Sequence, residues 1–155
     1  MGILIQGGRV VDAASQMDKI ADVYLDGCVI QEIGEKLKVK DKDDRIIDAR
    51  GMVVMPGLVD LHVHFRDPGQ TEKEDIESGS KAAARGGVTT VVAMPNTTPV
   101  IDCPDRANYV KNKAAQVSPI HVLQAGAMTK GELGCELSDI AGMAAAGVPV
   151  LSEDG

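Results

Sequence analysis

From Pro56 onward the chain alternates apolar, β-branched runs with amphipathic helical stretches, and this rhythm constrains the fold more than any other feature. It is the signature of βα units around a parallel sheet. Gly57-Leu-Val-Asp-Leu-His62 reads as the first strand. Thr71-Glu-Lys-Glu74 has the spacing of a capping box and predicts a helix start; Gly86-Gly87 predicts its end. Gly79, Ser80, Ala83 and Ala84 give that helix a small-residue face. Val88 to Met94 is the second strand. Asp102 and Pro104 open a second helix, with Ala107, Val110, Ala114 and Val117 on one face. Ile120 to Leu123 is a third strand. A third helix around Leu137, Ile140, Ala141 and Ala144 stops at Gly147, and Val148 to Ser152 is a fourth strand.

Residues 1–53 follow a different rule, with short strands and turns but no helix. Ile3-Leu4-Ile5 and Val10-Val11 flank Gly7-Gly8, read as turn glycines. Ala21 to Leu25 alternates apolar and polar and runs into Asp26-Gly27, a hairpin signal. The charged stretch Glu35 to Arg45 reads as a solvated turn or edge. The expected organisation is therefore a β-rich part over 1–53 and a βα part over 54–155.

Composition narrows the function. Aromatic residues are 2% of the 155 residues (Tyr24, Tyr109 and Phe65, with no Trp), so aliphatic side chains must fill the core. Aromatic platforms for stacking bases are nearly absent, and a net charge of -7 opposes a phosphate backbone, so no nucleic-acid partner is expected. No run reaches the roughly 18 apolar residues of a membrane span, and no basic-then-apolar leader opens the chain, so no membrane partner is expected. The cysteines, Cys28, Cys103 and Cys135, are odd in number and far apart, which suits reduced thiols and a cytoplasmic location.

The chemistry concentrates in Leu58-Val-Asp-Leu-His-Val-His-Phe-Arg-Asp-Pro-Gly69. Side chains on a strand alternate, so His62 and His64 share a face with Asp60 in phase, while Val59, Leu61, Val63 and Phe65 take the face expected under helices. Two imidazoles two residues apart can share one divalent cation; they also suit a core hydrogen-bond network. Met94-Pro-Asn-Thr-Thr-Pro99 lies at the carboxyl end of the second strand, where α/β folds bind ligands, and Asn96 offers both donor and acceptor. Ser152-Glu-Asp-Gly155 ends the fourth strand on the same rim, where Glu153 or Asp154 could supply a carboxylate. His121 has no partner motif and reads as a core or strand-end histidine. No nucleophile elbow, phosphate-cradling loop or dinucleotide fingerprint is present.

Asp60-Leu-His-Val-His-Phe-Arg-Asp-Pro-Gly69 followed by Lys73-Glu74 resembles the dihydroorotase signature, in the bacterial type that assembles with aspartate transcarbamoylase. The resemblance extends through Asp48-Ala-Arg-Gly51, Met55-Pro-Gly57, Met94-Pro-Asn-Thr97, Thr129-Lys-Gly131 and the terminal Ser-Glu-Asp-Gly. It implies an α/β fold: a (β/α)8 barrel preceded by part of a small β-sandwich domain. It implies Zn2+ held by His62, His64 and Asp154, the last preferred to Glu153. It implies that Arg66 and Asn96 hold the substrate's carboxylate; Asp60, in phase with the histidines, suits a partner for a ligand histidine. The implied reaction is the reversible conversion of N-carbamoyl-L-aspartate to L-dihydroorotate in pyrimidine synthesis.

A barrel of this kind needs about 250 residues. The chain carries four barrel strands and three helices, and the family's later metal ligands and its catalytic aspartate fall beyond Gly155. The 155-residue species is thus expected to be a truncated, inactive portion, to expose apolar strand edges, and to self-associate through them. Two other readings compete: a non-catalytic structural partner of aspartate transcarbamoylase, and another cyclic amidohydrolase of the allantoinase or hydantoinase kind. Arg66-Asp-Pro-Gly69 disfavours the latter, because a guanidinium there suits a carboxylate-bearing substrate.

Overall fold

The computed structural model describes residues 1–154 and divides into two compact units, Met1–Pro56 and the chain from Gly57 onward. The first unit is a five-stranded sheet of β1 (Gly2–Asp12), β2 (Met17–Asp26), β3 (Val29–Gly34), β4 (Arg45–Asp48) and β5 (Val53–Val54). Its order is β3-β2-β1-β4, with β5 also paired to β1. The pairs β1–β2 and β2–β3 are antiparallel; β4 and β5 run parallel to β1. The ladder between β5 and β1 draws Val53 and Val54 into this unit, which places the division at Pro56 rather than at residue 53.

Gly7 and Gly8 do not separate two strands. They form a bulge within one continuous β1, where the register shifts between Ile5 and Gly8. Gly7 sits at φ +70°, a conformation that costs other residues a Cβ clash. Asp26-Gly27 does form the β2–β3 turn, with Asp26 opposite Val29. Val10, Ala21 and Val23 are the buried centre of one face, packed by Ile5, Met17, Leu25 and Val54.

The charged stretch is exposed, as a solvated turn should be, yet it is organised around one carboxylate. Asp44 accepts hydrogen bonds from the Tyr24 hydroxyl (2.7 Å) and from the amides of Gly2, Lys40 and Asp41. The Tyr24 hydroxyl and these amides hold the Asp44 carboxyl down to about 2, and the same bond pushes Tyr24 up to about 12. The buried Asp22 carboxylate similarly accepts from the amides of Gly7 (2.8 Å) and Leu37 (2.9 Å).

The second unit alternates strand and helix: β6 (Leu58–Val63), α1 (Ile76–Arg85), β7 (Val88–Ala93), α2 (Pro104–Val117), β8 (His121–Gln124), β9 (Gly126–Ala127), α3 (Ile140–Ala145) and β10 (Leu151–Ser152). β6, β7 and β8 form a parallel sheet in sequence order. Past β8 the Ala125 amide donates to the Ala93 carbonyl, and β9 then pairs in parallel with β10. Sequential parallel neighbours joined by helices are the opening part of a (β/α)8 barrel. Phe65, Ile76, Val91, Ala93, Ile101, Ala107, Val110 and Ala114 pack between sheet and helices. Gly79 makes room for the ring of Phe65: a Cβ there would lie 2.5 Å from Cδ1.

Several boundaries depart from expectation, each for a local reason. Thr71 does not start α1. Asp75 caps it, accepting from the Ser78 amide at 2.7 Å in a reciprocal capping box, because a start at Ile76 buries that side chain completely. Ala84 is exposed, so the small-residue face is narrower than its spacing suggests. Asp102 does not cap α2; it bonds Arg106 and the Gly131 amide, and Cys103 takes the cap position with no side-chain bond. Leu137 lies outside α3, exposed and bridged to Thr129, and the residue that α3 buries is Met143. Of Val148 to Ser152, only Leu151 and Ser152 form a strand. Val59 and Leu61 are 59% and 69% exposed, because β6 is the edge of its sheet and the described helices cover only Val63 and Phe65 beyond them. His121 is an exposed residue at the amino end of β8, not a core one, and lies at the strand end away from the carboxyl rim.

Candidate metal centre

The parallel strands β6, β7 and β8 bring their carboxyl ends to one rim, and the loops there carry the polar residues singled out from sequence. His62 is the penultimate residue of β6 and His64 lies just past its end. The next strand delivers Asn96 through a tightly tied loop. The Met94 amide donates to Val63, the amides of Thr97 and Ile101 both donate to the Pro95 carbonyl, and the Thr97 hydroxyl donates to Pro99. Thr97 and Pro95 are buried, which leaves Asn96 as the half-buried side chain at the rim. Asp154 follows β10.

His62, His64, Asn96 and Asp154 converge. His62 Nε2 lies 3.2 Å from His64 Nε2 and 3.1 Å from Asp154 Oδ1; His64 Nε2 lies 3.8 Å from Asp154 Oδ2. One donor atom from each of the three residues lies within 4.8 Å of the others. Asn96 bridges two of them: its Nδ2 donates to Asp154 Oδ2, and its Oδ1 lies 3.0 Å from His64 Nδ1. With Oδ1 as the acceptor, the His64 proton sits on Nδ1 and Nε2 presents a lone pair. Two imidazole nitrogens and a carboxylate that face one another are poorly satisfied by protons alone. They form a nitrogen–oxygen donor set of the kind that holds a divalent cation such as zinc.

Glu132 has one carboxylate oxygen buried without a hydrogen-bond partner. Burial first, and then the negative charges of Glu153 and Asp154, push its carboxyl up. Glu153, adjacent to Asp154, is committed elsewhere: it accepts from the Met128 amide (3.0 Å), the Thr129 amide (3.1 Å) and the Thr129 hydroxyl. The Thr129 hydroxyl, together with these amides, holds the Glu153 carboxyl below the usual range.

Neither Arg66 nor Asp60 is bonded to the side chains of the cluster. The Asp60 carboxylate accepts from the backbone amide of His62 (3.1 Å), rather than from an imidazole as expected. Arg66 adopts φ +59°, and its guanidinium makes no hydrogen bond or ion pair with another described residue. Three residues that sequence reasoning missed support its loop. Asp67 is buried; its Oδ2 forms an ion pair with Lys113 (2.6 Å) and its Oδ1 accepts from the Tyr109 hydroxyl (3.0 Å). Tyr109 and Lys113 are four apart on α2, a spacing that marks a shared helix face but not the loop it meets.

A family model described as dihydro-orotase-like matches residues 51–155. A curated dihydroorotase from Clostridioides difficile (strain 630) is 54% identical over 153 residues, covering 99% of this chain and 36% of the relative. One from Aquifex aeolicus (strain VF5) is 41% identical over 153 residues, with the same coverage. The chain thus spans little more than a third of the length of these relatives. Among solved structures, L-hydantoinase from Arthrobacter aurescens superposes with a TM-score of 0.72 at 29% identity, covering 82% of this chain and 28% of that one. D-hydantoinase from a Thermus species gives 0.69 at 32% identity, with the same shares covered. Rim geometry, barrel topology and sequence agree: the chain belongs to the dihydroorotase-like family.

Proposed function

We propose that the protein carrying this chain is a zinc-dependent cyclic amidohydrolase that interconverts N-carbamoyl-L-aspartate and L-dihydroorotate in the cytoplasm. The observation that carries the reading is the convergence of His62, His64 and Asp154 at the carboxyl rim, with Asn96 fixing the His64 tautomer. His62 Nε2, His64 Nε2 and the Asp154 carboxylate would hold the metal. Bound there, zinc supplies the Lewis acidity that activates water and polarises an amide carbonyl near neutral pH.

The chain's own residues do the rest. Asn96 keeps the lone pair of His64 Nε2 turned to the centre and orients the Asp154 carboxylate. An amide nitrogen has a second N–H, which remains to meet a substrate carboxylate. Arg66 offers the planar fork that pairs with a carboxylate through two parallel bonds, so the ring is oriented as well as bound. The exposed apolar side chains of Leu58, Val59 and Leu61 on the β6 edge support association with further protein, including self-association of the 155-residue species.

The hydantoinase neighbours support a second reading, a cyclic amidohydrolase for uncharged rings. Turnover of dihydroorotate and of hydantoin by the complete zinc-loaded protein separates the two. Preference for dihydroorotate, lost in Arg66→Met, is expected; preference for hydantoin, unaffected by that substitution, would refute the reading. The 155-residue species is expected to bind metal weakly and to turn over neither substrate.

A further inference from the structure

We infer that Asp67, Tyr109 and Lys113 form an anchor that positions Arg66 at the rim, an inference that rests on the reading of Arg66 as the holder of the substrate's carboxylate. The Asp67 side chain has no solvent exposure, and both of its oxygens are engaged by α2: Oδ2 lies 2.6 Å from Lys113 Nζ, and Oδ1 accepts from the Tyr109 hydroxyl at 3.0 Å. The Lys113 ammonium also lies 3.5 Å from that hydroxyl, which closes a triangle. Stability is a weak account of such a buried ion pair, because apolar packing of the same volume serves as well or better. What the pair does supply is direction, since it ties the residue after Arg66 to the middle of a helix 42 residues further along.

The other side of the loop is fastened as well. The Thr98 amide donates to the Pro68 carbonyl at 3.1 Å. Gly69 abuts Thr98 so closely that a Cβ would lie 1.7 Å from its carbonyl oxygen. Thr98 belongs to the loop that carries Asn96, so the two proposed carboxylate contacts are mechanically joined. Immediately before these fastenings Arg66 holds φ +59°, a conformation that a side-chain-bearing residue keeps only when its surroundings impose it. Without the Asp67 tether the backbone at Arg66 is free to relax, and the guanidinium moves with it.

Steady-state kinetics on the complete zinc-loaded protein test this, with dihydroorotate as substrate. Lys113→Met is expected to raise KM about 10- to 100-fold, the cost of a binding group misplaced by about an ångström, with kcat changed less than about 3-fold and zinc content unchanged. In an Arg66→Met background the same substitution should change KM by less than about 2-fold, because its effect acts through Arg66. Tyr109→Phe removes one bond and keeps the ion pair; it should raise KM about 3-fold in the parent and not in the Arg66→Met background, and it carries the test should Lys113→Met not fold. A melting temperature that falls while KM stays constant would make the anchor purely structural and overturn the proposal. So would a KM penalty of equal size with and without Arg66. An Arg66→Met variant with unchanged KM would instead remove the underlying reading of Arg66, and the anchor's role with it.

Discussion

Asp22 and Asp154 show what separates the two units. Asp22, in the first unit, is buried and spends both oxygens on backbone amides, those of Gly7 and Leu37. Asp154, in the second, faces two imidazoles and a side-chain amide. The first carboxylate completes the hydrogen bonding of a bulge and a loop, and nothing remains for a ligand to do. The second sits among groups that a single cation would satisfy together. Asp22 is structural because its partners are backbone amides that it satisfies fully, whereas the partners of Asp154 are side chains with hydrogen-bonding capacity of their own still to meet.

The contrast can be broken or sharpened experimentally. The largest effect is expected from His62→Ala or His64→Ala, which should weaken zinc binding by more than about 100-fold in a competitive chelator titration. Unfolding of the first unit should not change; equal zinc affinity in the variants would sink the centre. Asn96→Ala removes the partner of His64 and Asp154, not a ligand, and should cost about 10- to 100-fold in the same titration. Asp22→Ala is the converse test. It strands two amides and should destabilise the first unit by about 1–3 kcal/mol in urea unfolding, with zinc affinity untouched.

The smallest effect is a pH dependence in the first unit. Asp44 titrates at about 2 when folded, below its unfolded value, so its contribution is present above roughly pH 4 and is lost as pH falls toward 2. Tyr24 titrates at about 12 when folded, above its unfolded value, so its contribution is full below roughly pH 10 and is lost as pH rises through 12. Tyr24→Phe should flatten both limbs of the stability profile measured by chemical denaturation. A profile that keeps its shape in that variant would show that the pair is uncoupled from folding.

The legible parts of the fold were those set by local pattern. Val88–Ala93 is rich in β-branched residues, Ala107, Val110 and Ala114 repeat at helical spacing, and Asp26-Gly27 demands a turn; all three appear as expected. The errors fall where a tertiary contact outbid a local signal. Thr71 offered a good cap, but burying Ile76 required the helix to begin at Asp75. Leu137 fitted the helical period, but Met143 fills the space against Gly126. In the candidate site, the facing of His62 and His64 followed from strand alternation, while the use of Asn96 as a bridge between His64 and Asp154 depends on a contact 58 residues apart. The Asp67 contacts were hidden for the same reason. No local rule links a loop aspartate to a lysine in a helix beyond the next strand.

The adjacent carboxylates Glu153 and Asp154 carry one more consequence. Their opposite commitments, one to the Thr129 loop and one to the imidazoles, follow from the two-residue alternation of extended chain, and two ladder pairs set their phase: Gly126 with Leu151, and Ala127 with Ser152. A slip of one residue would exchange the two acids, bringing a longer side chain to the histidines and leaving the Thr129 loop with a shorter one. An insertion or deletion of a single residue between Val148 and Ser152 should therefore be far more damaging than most substitutions there. The tolerance of this short segment is set by counting, not by chemistry.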